Sequence, residues 1–314
     1  MPQSFEESLF NVVIFDSFDK AGDNGEFLYR RIAQDYPNIK ATFILSNKSK
    51  DWARLKAEGF NIYPFEGKYV GFIIKNATFV LFSKDVPDTN IKTFLMNNRY
   101  KTIFMGHGVT STIYDDSFYI SGTISSEAKY MLATSNGEYK VLTRYSKGKL
   151  TPIILGFPRH DTLLEKNTLR SSVEHKKQVF ISFHWRRGGG TSRYFNDINN
   201  FLASEKLKQL HDSGVSIVFL PHAKFLNKLS QFKIPSWVKI PQIDTFQDIL
   251  VESDVLVTDF SSNSFEMAYM DKPSVIYIPG ANDLNASLNH YHLEHLDYVH
   301  MSYCKTKEQA LSKI

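Results

Sequence analysis

Cysteine is nearly absent: Cys304 is the only one in 314 residues, so the chain can form no internal disulfide and no cysteine metal cluster, and a reducing cytoplasm is its expected setting. Long apolar runs are missing as well. No stretch approaches the roughly 20 apolar residues of a membrane-spanning helix, and the opening MPQSFEESLF carries acids where a secretory leader has a basic flank and an apolar run. Membrane contact, if any, is expected to be peripheral. HExxH and CxxC do not occur, which argues against a zinc enzyme. Gly188-Gly-Gly190 is not followed by Lys-Ser/Thr, so there is no Walker loop, and neither half opens with GxGxxG after its first strand, which argues against nicotinamide or flavin. The Gly-x-Ser-x-Gly elbow of α/β-hydrolases is absent, as are repeats of solenoid length and low-complexity tracts.

What is present has the balance of a globular protein, 42% apolar and 22% charged residues. The net charge of +4 and pI near 8.8 favour anionic ligands or an anionic membrane surface without calling for nucleic acid. The length suits two domains of about 150 residues each.

Strand and helix patterns alternate along the first half. Phe10 to Asp16 reads as a strand and Gly25 to Tyr36 as a helix with Phe27, Leu28, Ile32 and Ala33 on one side. Ile39 to Leu45 (strand), Asp51 to Glu58 (helix), Phe60 to Tyr63 and Thr78 to Phe82 (strands), Asn90 to Asn97 (helix) and Thr102 to Met105 (strand) follow, then strands at Tyr130 to Thr134 and Pro152 to Leu155 around a helix at Gly137 to Ser146. Such alternation implies a parallel sheet with helices on both faces. Gly156 to Asp161 contains Gly and Pro that break both periodicities and suits an interdomain hinge, and Glu165 to Lys177 reads as a charged connector. The scheme then restarts with the strand Val179 to Phe183, a helix from about Phe195 to Asp212, the strand Ser216 to Leu220, a turn at Pro221-His222 and the helix Phe246 to Glu252.

The most informative stretch is Ile249 to Gly280. Val255 to Thr258 and Ser274 to Ile278 read as buried parallel strands joined by a short helix. In that helix Asn263 and Glu266 have capping-box spacing, Phe265, Ala268 and Tyr269 share a face, and Pro273 limits extension beyond Asp271. Asp259, Ser261 and Ser262 therefore sit at the carboxyl end of a strand where a helix begins, the place where open α/β sheets bind ligands. A serine-rich cap in any α/β protein is the competing reading. His107, between Gly106 and Gly108, follows another strand, and a histidine there can accept a proton at physiological pH. Arg159 and Arg186 flank special turns and carry forks suited to phosphate oxygens. His222 follows the strand Ser216 to Leu220 and is expected on the same side as Ser261 and Ser262.

Taken in order, FDSF at 15 to 18, GHG at 106 to 108, GFPRHD at 156 to 161, FHWR at 183 to 186, LPH at 220 to 222 and SDVLVTDFSSNSFE at 253 to 266 resemble the CDP-glycerol glycerophosphotransferase family of teichoic-acid and capsule-polymer synthesis. The resemblance spans Phe15 to Ile278. It implies an α/β fold of GT-B type, two Rossmann-like domains facing across a cleft. Residues 1–156 would form the acceptor-side domain and 157–314 the nucleotide-donor domain. It implies transfer of glycerol phosphate from CDP-glycerol to a hydroxyl of a polymer or lipid-linked saccharide, with release of CMP, by an enzyme peripheral to the cytoplasmic face of the membrane. His107 matches the family's catalytic base. Arg186, His222, Thr258, Ser261 and Ser262 match donor-binding positions, with Asp259 in the same turn, and Arg159 and Asp161 match the segment lining the cleft.

The chain departs from the family pattern at His160 (usually Asn), Ala223 (usually Pro) and His184 (usually Thr), and Val109 to Tyr119 lacks the usual Pro and Lys after the HG turn. That last segment puts the acceptor in question. The resemblance assigns no certain cofactor; Asp115, Asp116 and Asp259 are the acids open to magnesium. A UDP-sugar glycosyltransferase or epimerase of the same fold, a CDP-ribitol transferase, and a non-catalytic polymer-binding or assembly protein are the alternatives.

Overall fold

The computed structural model describes residues 11–84, 86, 90–110, 127–146, 148–184, 192–241, 246–259, 261–280 and 301–314. The chain divides into two compact units, one running to Thr162 and the other from Leu163.

In the first unit seven strands form one parallel sheet in the order β3-β2-β1-β4-β5-β6-β7: β1 (Asn11–Phe15), β2 (Lys40–Leu45), β3 (Ile62–Pro64), β4 (Phe79–Phe82), β5 (Thr102–Phe104), β6 (Tyr130–Ala133) and β7 (Thr151–Ile154). The central strands β1 and β4 are apolar from Val12 to Phe15 and from Phe79 to Phe82, as strands of a parallel sheet buried on both faces are. Val13, Phe15, Phe82 and Phe104 are buried in one core, where Phe15 stacks on Phe18 and Phe82 at 4.8 and 5.5 Å. The connecting helices are α1 (Asn24–Asp35), α2 (Trp52–Ala57), α3 (Val70–Asn76), α4 (Asn90–Asn97) and α5 (Asn136–Ser146).

The strands predicted from the sequence occur within one or two residues of their expected positions, and three readings need correction. Helix α1 buries Glu26, Tyr29 and Ile32, and Ala33 is exposed. Glu26 can lie inside because Arg54 clasps both its carboxylate oxygens at 2.8 Å. Helix α3 was not foreseen, since its short apolar run carries no clear 3.6-residue period. Within Gly156 to Asp161, Pro158 does not break the helical period but opens helix α6 (Pro158–Ser171), which runs through the division at Thr162 and Leu163 and takes up much of the expected charged connector. Pro158 is the first residue of that helix, where a missing N–H costs nothing.

The second unit has five parallel strands in the order β12-β11-β10-β8-β9: β8 (Gln178–Ile181), β9 (Ser216–Phe219), β10 (Val255–Thr258), β11 (Ser274–Tyr277) and β12 (Met301–Cys304). Its helices are α7 (Ser192–Leu202), α8 (Glu205–Asp212), α9 (Phe246–Glu252), α10 (Asn263–Tyr269) and α11 (Lys307–Lys313), with a 3-10 segment at Ala223–Gln231. The single helix expected from Phe195 to Asp212 is two, because Ser204 caps a new start by accepting from the Leu207 N–H. Helix α10 is capped at Ser262 rather than Asn263, and it buries Ser264 and Met267 in place of the expected Phe265, Ala268 and Tyr269 face. Tyr269 is exposed, while Met267 and Met270 pack with Leu256 and Leu250. Among the described residues no helix is long and apolar enough to cross a membrane.

Candidate active site

In the first unit the sequence-predicted base lies one residue beyond a tight turn. Strand β5 ends at Phe104, the last ladder bond runs from Met105 N–H to Phe82 O (2.7 Å), and Gly106 turns the chain with φ +74°, a conformation that favours glycine. His107 follows with its residue exposed, but its backbone is held from several directions. The Asn24 amide donates to Gly106 O at 2.7 Å, and Arg159 Nη2 donates to His107 O at 2.9 Å. Further on, the Thr110 N–H donates to Glu138 Oε1 at 2.7 Å.

These anchors are themselves fixed. Arg159 is buried and pairs through Nη1 with Asp23 at 2.5 Å, while its backbone N–H donates to Asn24 Oδ1 at 3.3 Å. Its fork is thus directed at Asp23 and the His107 carbonyl. Asp161 is exposed in the first turn of α6. Glu138 also accepts from Thr134 N–H and Oγ1, both at 2.7 Å, and burial holds its carboxyl above the usual range against those donors. Next to Arg159, burial and the guanidinium push His160 down to about 3, so it is neutral.

Behind α1 stands Asp16, directly after β1. Its carboxylate accepts from the N–H groups of Asp23 (2.9 Å), Gly25 (2.6 Å) and Glu26 (3.2 Å) and from Ser83 Oγ (2.7 Å). Burial, and after it the Asp23 carboxylate, push Asp16 up to about 7 against those donors. Gly25 is required here, since a Cβ would lie 2.7 Å from Asp16 Oδ1 and 3.1 Å from the Phe15 carbonyl.

In the second unit the candidate residues gather at the carboxyl ends of the three neighbouring strands β9, β8 and β10. His184 follows β8. Its N–H donates to Asp259 Oδ1 at 2.8 Å, its carbonyl accepts from Tyr194 OH at 2.9 Å, and its ring meets that of His222 edge to face at 5.1 Å. His222, after β9, accepts the Lys224 N–H at Nδ1 (3.2 Å), which leaves the proton on Nε2 as a donor. Burial, then Lys224, holds its pKa below the ordinary value. Thr258 is fully buried and its Oγ1 donates to Ser182 O at 2.6 Å, so it ties the ends of β8 and β10 together. Ser261 Oγ accepts the Asn263 N–H at 3.3 Å, and Ser262 takes the cap of α10 without a side-chain cap bond. His222, Thr258, Asp259, Ser261 and Ser262 thus share one edge of the sheet. Arg186 lies outside the described residues, as do Asp115 and Asp116. Among the described residues no three His, Cys, Asp or Glu side chains cluster as a metal site would require.

Sequence reasoning missed Asn24 and Glu138 as parts of this machinery and did not single out His184 as a site residue. Ser135 and Glu138 have capping-box spacing, which is a legible signal, and Glu138 N–H does donate to Ser135 Oγ at 3.1 Å. Asn24 sits in an ordinary helix-cap sequence, and nothing local points to Gly106.

The family model for CDP-glycerol:poly(glycerophosphate) glycerophosphotransferase matches residues 4–302. The minor teichoic acid biosynthesis protein GgaB of Bacillus subtilis is 24% identical over 93% of this chain and 33% of its own length. The teichoic acid poly(glycerol phosphate) polymerase of Bacillus spizizenii is 22% identical over 66% of this chain and 54% of its own. The chain therefore spans about a third and about half of these curated relatives. Among solved structures, the wall teichoic acid polymerase TagF superposes with a TM-score of 0.66 at 14% identity, over 96% of this chain and 79% of that one. A UDP-GlcNAc 2-epimerase from Neisseria meningitidis bound to UDP-GlcNAc gives 0.53 at 12% identity, over 88% and 84%. These likenesses establish the fold, two parallel α/β units of GT-B type.

Proposed function

The chain belongs to the CDP-glycerol:poly(glycerophosphate) glycerophosphotransferase family, and from that premise we propose that it moves glycerol phosphate from CDP-glycerol to a hydroxyl of a teichoic-acid-like or capsular polymer or its linker. The first unit supplies the acceptor side and His107; the second holds the donor. The acceptor oxygen attacks the phosphorus that carries glycerol, the bond from that phosphorus to the bridging oxygen breaks, and CMP leaves with the bonding pair. His107 takes the acceptor's proton. His222 Nε2–H and the hydroxyls of Ser261 and Ser262 hold the donor's phosphates, with Arg186 as their cationic partner. Asp259 and Thr258 act from behind by fixing His184 and the strand ends, and Arg159 acts on the His107 backbone. The reaction takes place at the cytoplasmic face of the membrane, where the protein is peripheral.

The observation that carries this reading is the gathering of His184, His222, Asp259 and Ser261 at the ends of adjacent strands, in a chain that matches the family over nearly its whole length. The test is CMP release from CDP-glycerol, CDP-ribitol or a UDP-sugar, each with and without a short glycerol-phosphate polymer or lipid-linked sugar. Acceptor-dependent CMP from CDP-glycerol is expected, with His107→Ala lowering turnover by about 10²–10⁴-fold in a folded protein. UDP release without CMP would overturn the donor assignment.

A further inference from the structure

We infer that Asn24 is a positioning residue for His107, an inference that rests on reading His107 as the base. Asn24 is the first residue of α1 and fully buried, yet its side chain does not serve that helix. Asp23 occupies the cap position, and the neighbouring N–H groups of Gly25 and Glu26 go to Asp16. The Asn24 amide instead reaches the turn before His107, 82 residues away in sequence. Its two ends are chemically distinct there. Gly106 O can only accept, so Nδ2 faces it at 2.7 Å; the Arg159 N–H can only donate, so Oδ1 faces it at 3.3 Å.

The amide thereby links both holds on the base. Directly it fixes the carbonyl before His107. Through the Arg159 backbone it fixes the start of α6, from which the guanidinium reaches the carbonyl of His107 itself at 2.9 Å. The two carbonyls lie beyond the end of β5, where no strand ladder holds them. Gly106 adopts its positive φ without strain but, as glycine, leaves the backbone free to take others, so the turn's own residues do not fix these carbonyls. The backbone sets where the ring starts from, and misplacement of a catalytic group by about 1 Å can lower turnover about 100-fold. A carboxylate could replace Oδ1 but not Nδ2, because it would set two acceptors face to face at Gly106.

Asn24→Asp is therefore the discriminating variant, with Asn24→Ser as a smaller second should the first fail to fold. With CDP-glycerol and a glycerol-phosphate acceptor, kcat is expected to fall about 100-fold, while the KM for CDP-glycerol stays within about twofold. Amide hydrogen exchange at residues 106–110 should speed up in the same protein. Combining Asn24→Asp with His107→Ala should slow turnover no further than His107→Ala alone. Wild-type kcat with unchanged exchange at 106–110 would overturn the inference, and so would a loss confined to KM. If His107→Ala retains full turnover, the base reading fails instead, and exchange at 106–110 still decides whether Asn24 holds the turn.

Discussion

The first sheet reverses its winding between β1 and β4 and the second between β10 and β8, and at each reversal a buried aspartate follows the strand. Asp16 bonds sideways to Ser83 beyond β4, and Asp259 bonds sideways to the His184 N–H beyond β8. Their other commitments differ. Asp16 also accepts three N–H groups at the start of α1, so the positive end of that helix already holds a carboxylate. At the second reversal the first turn of α10 is met by the Ser261 hydroxyl, and the aspartate fixes the backbone of a histidine. Such switch points are where open α/β sheets bind ligands. The same residue type, on the first strand at one switch point and on the returning strand at the other, closes the one and frames the other.

The largest test of this contrast removes the closure. Asp16→Ala takes the acceptor from the half-buried Asp23 N–H and from the buried Ser83 hydroxyl, while the Gly25 and Glu26 N–H groups keep only Ser83 Oγ at 3.1 Å and the Asp23 carbonyl at 3.0 Å. Unsatisfied buried groups cost about 1–3 kcal/mol each, and relaxation shares part of that, so a loss of about 2–4 kcal/mol is expected. Urea unfolding would measure it, with Trp185 and Trp237 replaced by Phe so that Trp52 reports the first unit. A loss below about 1 kcal/mol would mean that Asp16 does not close the turn.

A second test uses pH. Asp16, pushed up to about 7 from 3.8, keeps a proton that the unfolded chain has lost. Its contribution is complete below pH 3.8 and gone above about 7. His160, pushed down to about 3 from 6.5, works the other way: its contribution is complete above 6.5 and disappears as pH falls toward 3. Between 3.8 and 6.5 the slopes of these two groups oppose and largely cancel each other. His160→Asn should uncover a decline in stability as pH rises from 4 to 7. Asp16→Asn should uncover a decline as pH falls below 6.5. Each limb is worth about 2–3 kcal/mol once relaxation is allowed for. Flat profiles in both variants would show that neither group titrates in these windows.

How far this contrast was legible follows from the range of the interactions involved. All the strands but β12 are readable because buried parallel strands are continuous apolar runs, and β10, α9 and α4 fall where the pattern puts them; β12, with only Cys304 buried, carries no such run. Two helix starts are not: Pro158 reads as a breaker although it opens α6, and Ser204 splits α7 from α8 by a cap inside one amphipathic pattern. In the site, His107, His222, Asp259 and the serines announce themselves by following strands. Asn24, Glu138 and Ser83 do not, since their partners lie 82, 28 and 67 residues away and only the assembled sheet brings them together. The candidate ligands were visible from sequence, while most of what orients them was not.

The smallest expected effect bears on how the second switch point is held open. Thr258 ends β10 with its hydroxyl donated to Ser182 O, while the Ser182 N–H donates to Val257 O at 2.9 Å, so the pair extends the β8 and β10 ladder by one side-chain bond just before His184. Val has the same shape and no hydroxyl. Thr258→Val should lower stability by about 1 kcal/mol, and Thr258→Ser, which keeps the donor, should lose less. The Asp259 bond to His184 survives in both variants, so the KM for CDP-glycerol should rise by no more than a few-fold. A large rise in KM without loss of stability would place the Thr258 hydroxyl on the donor itself. The second reversal would then be a site whose strand ends bind the ligand directly, and the division of labour between Asp259 and Thr258 behind and the histidines and serines in front would have to be redrawn.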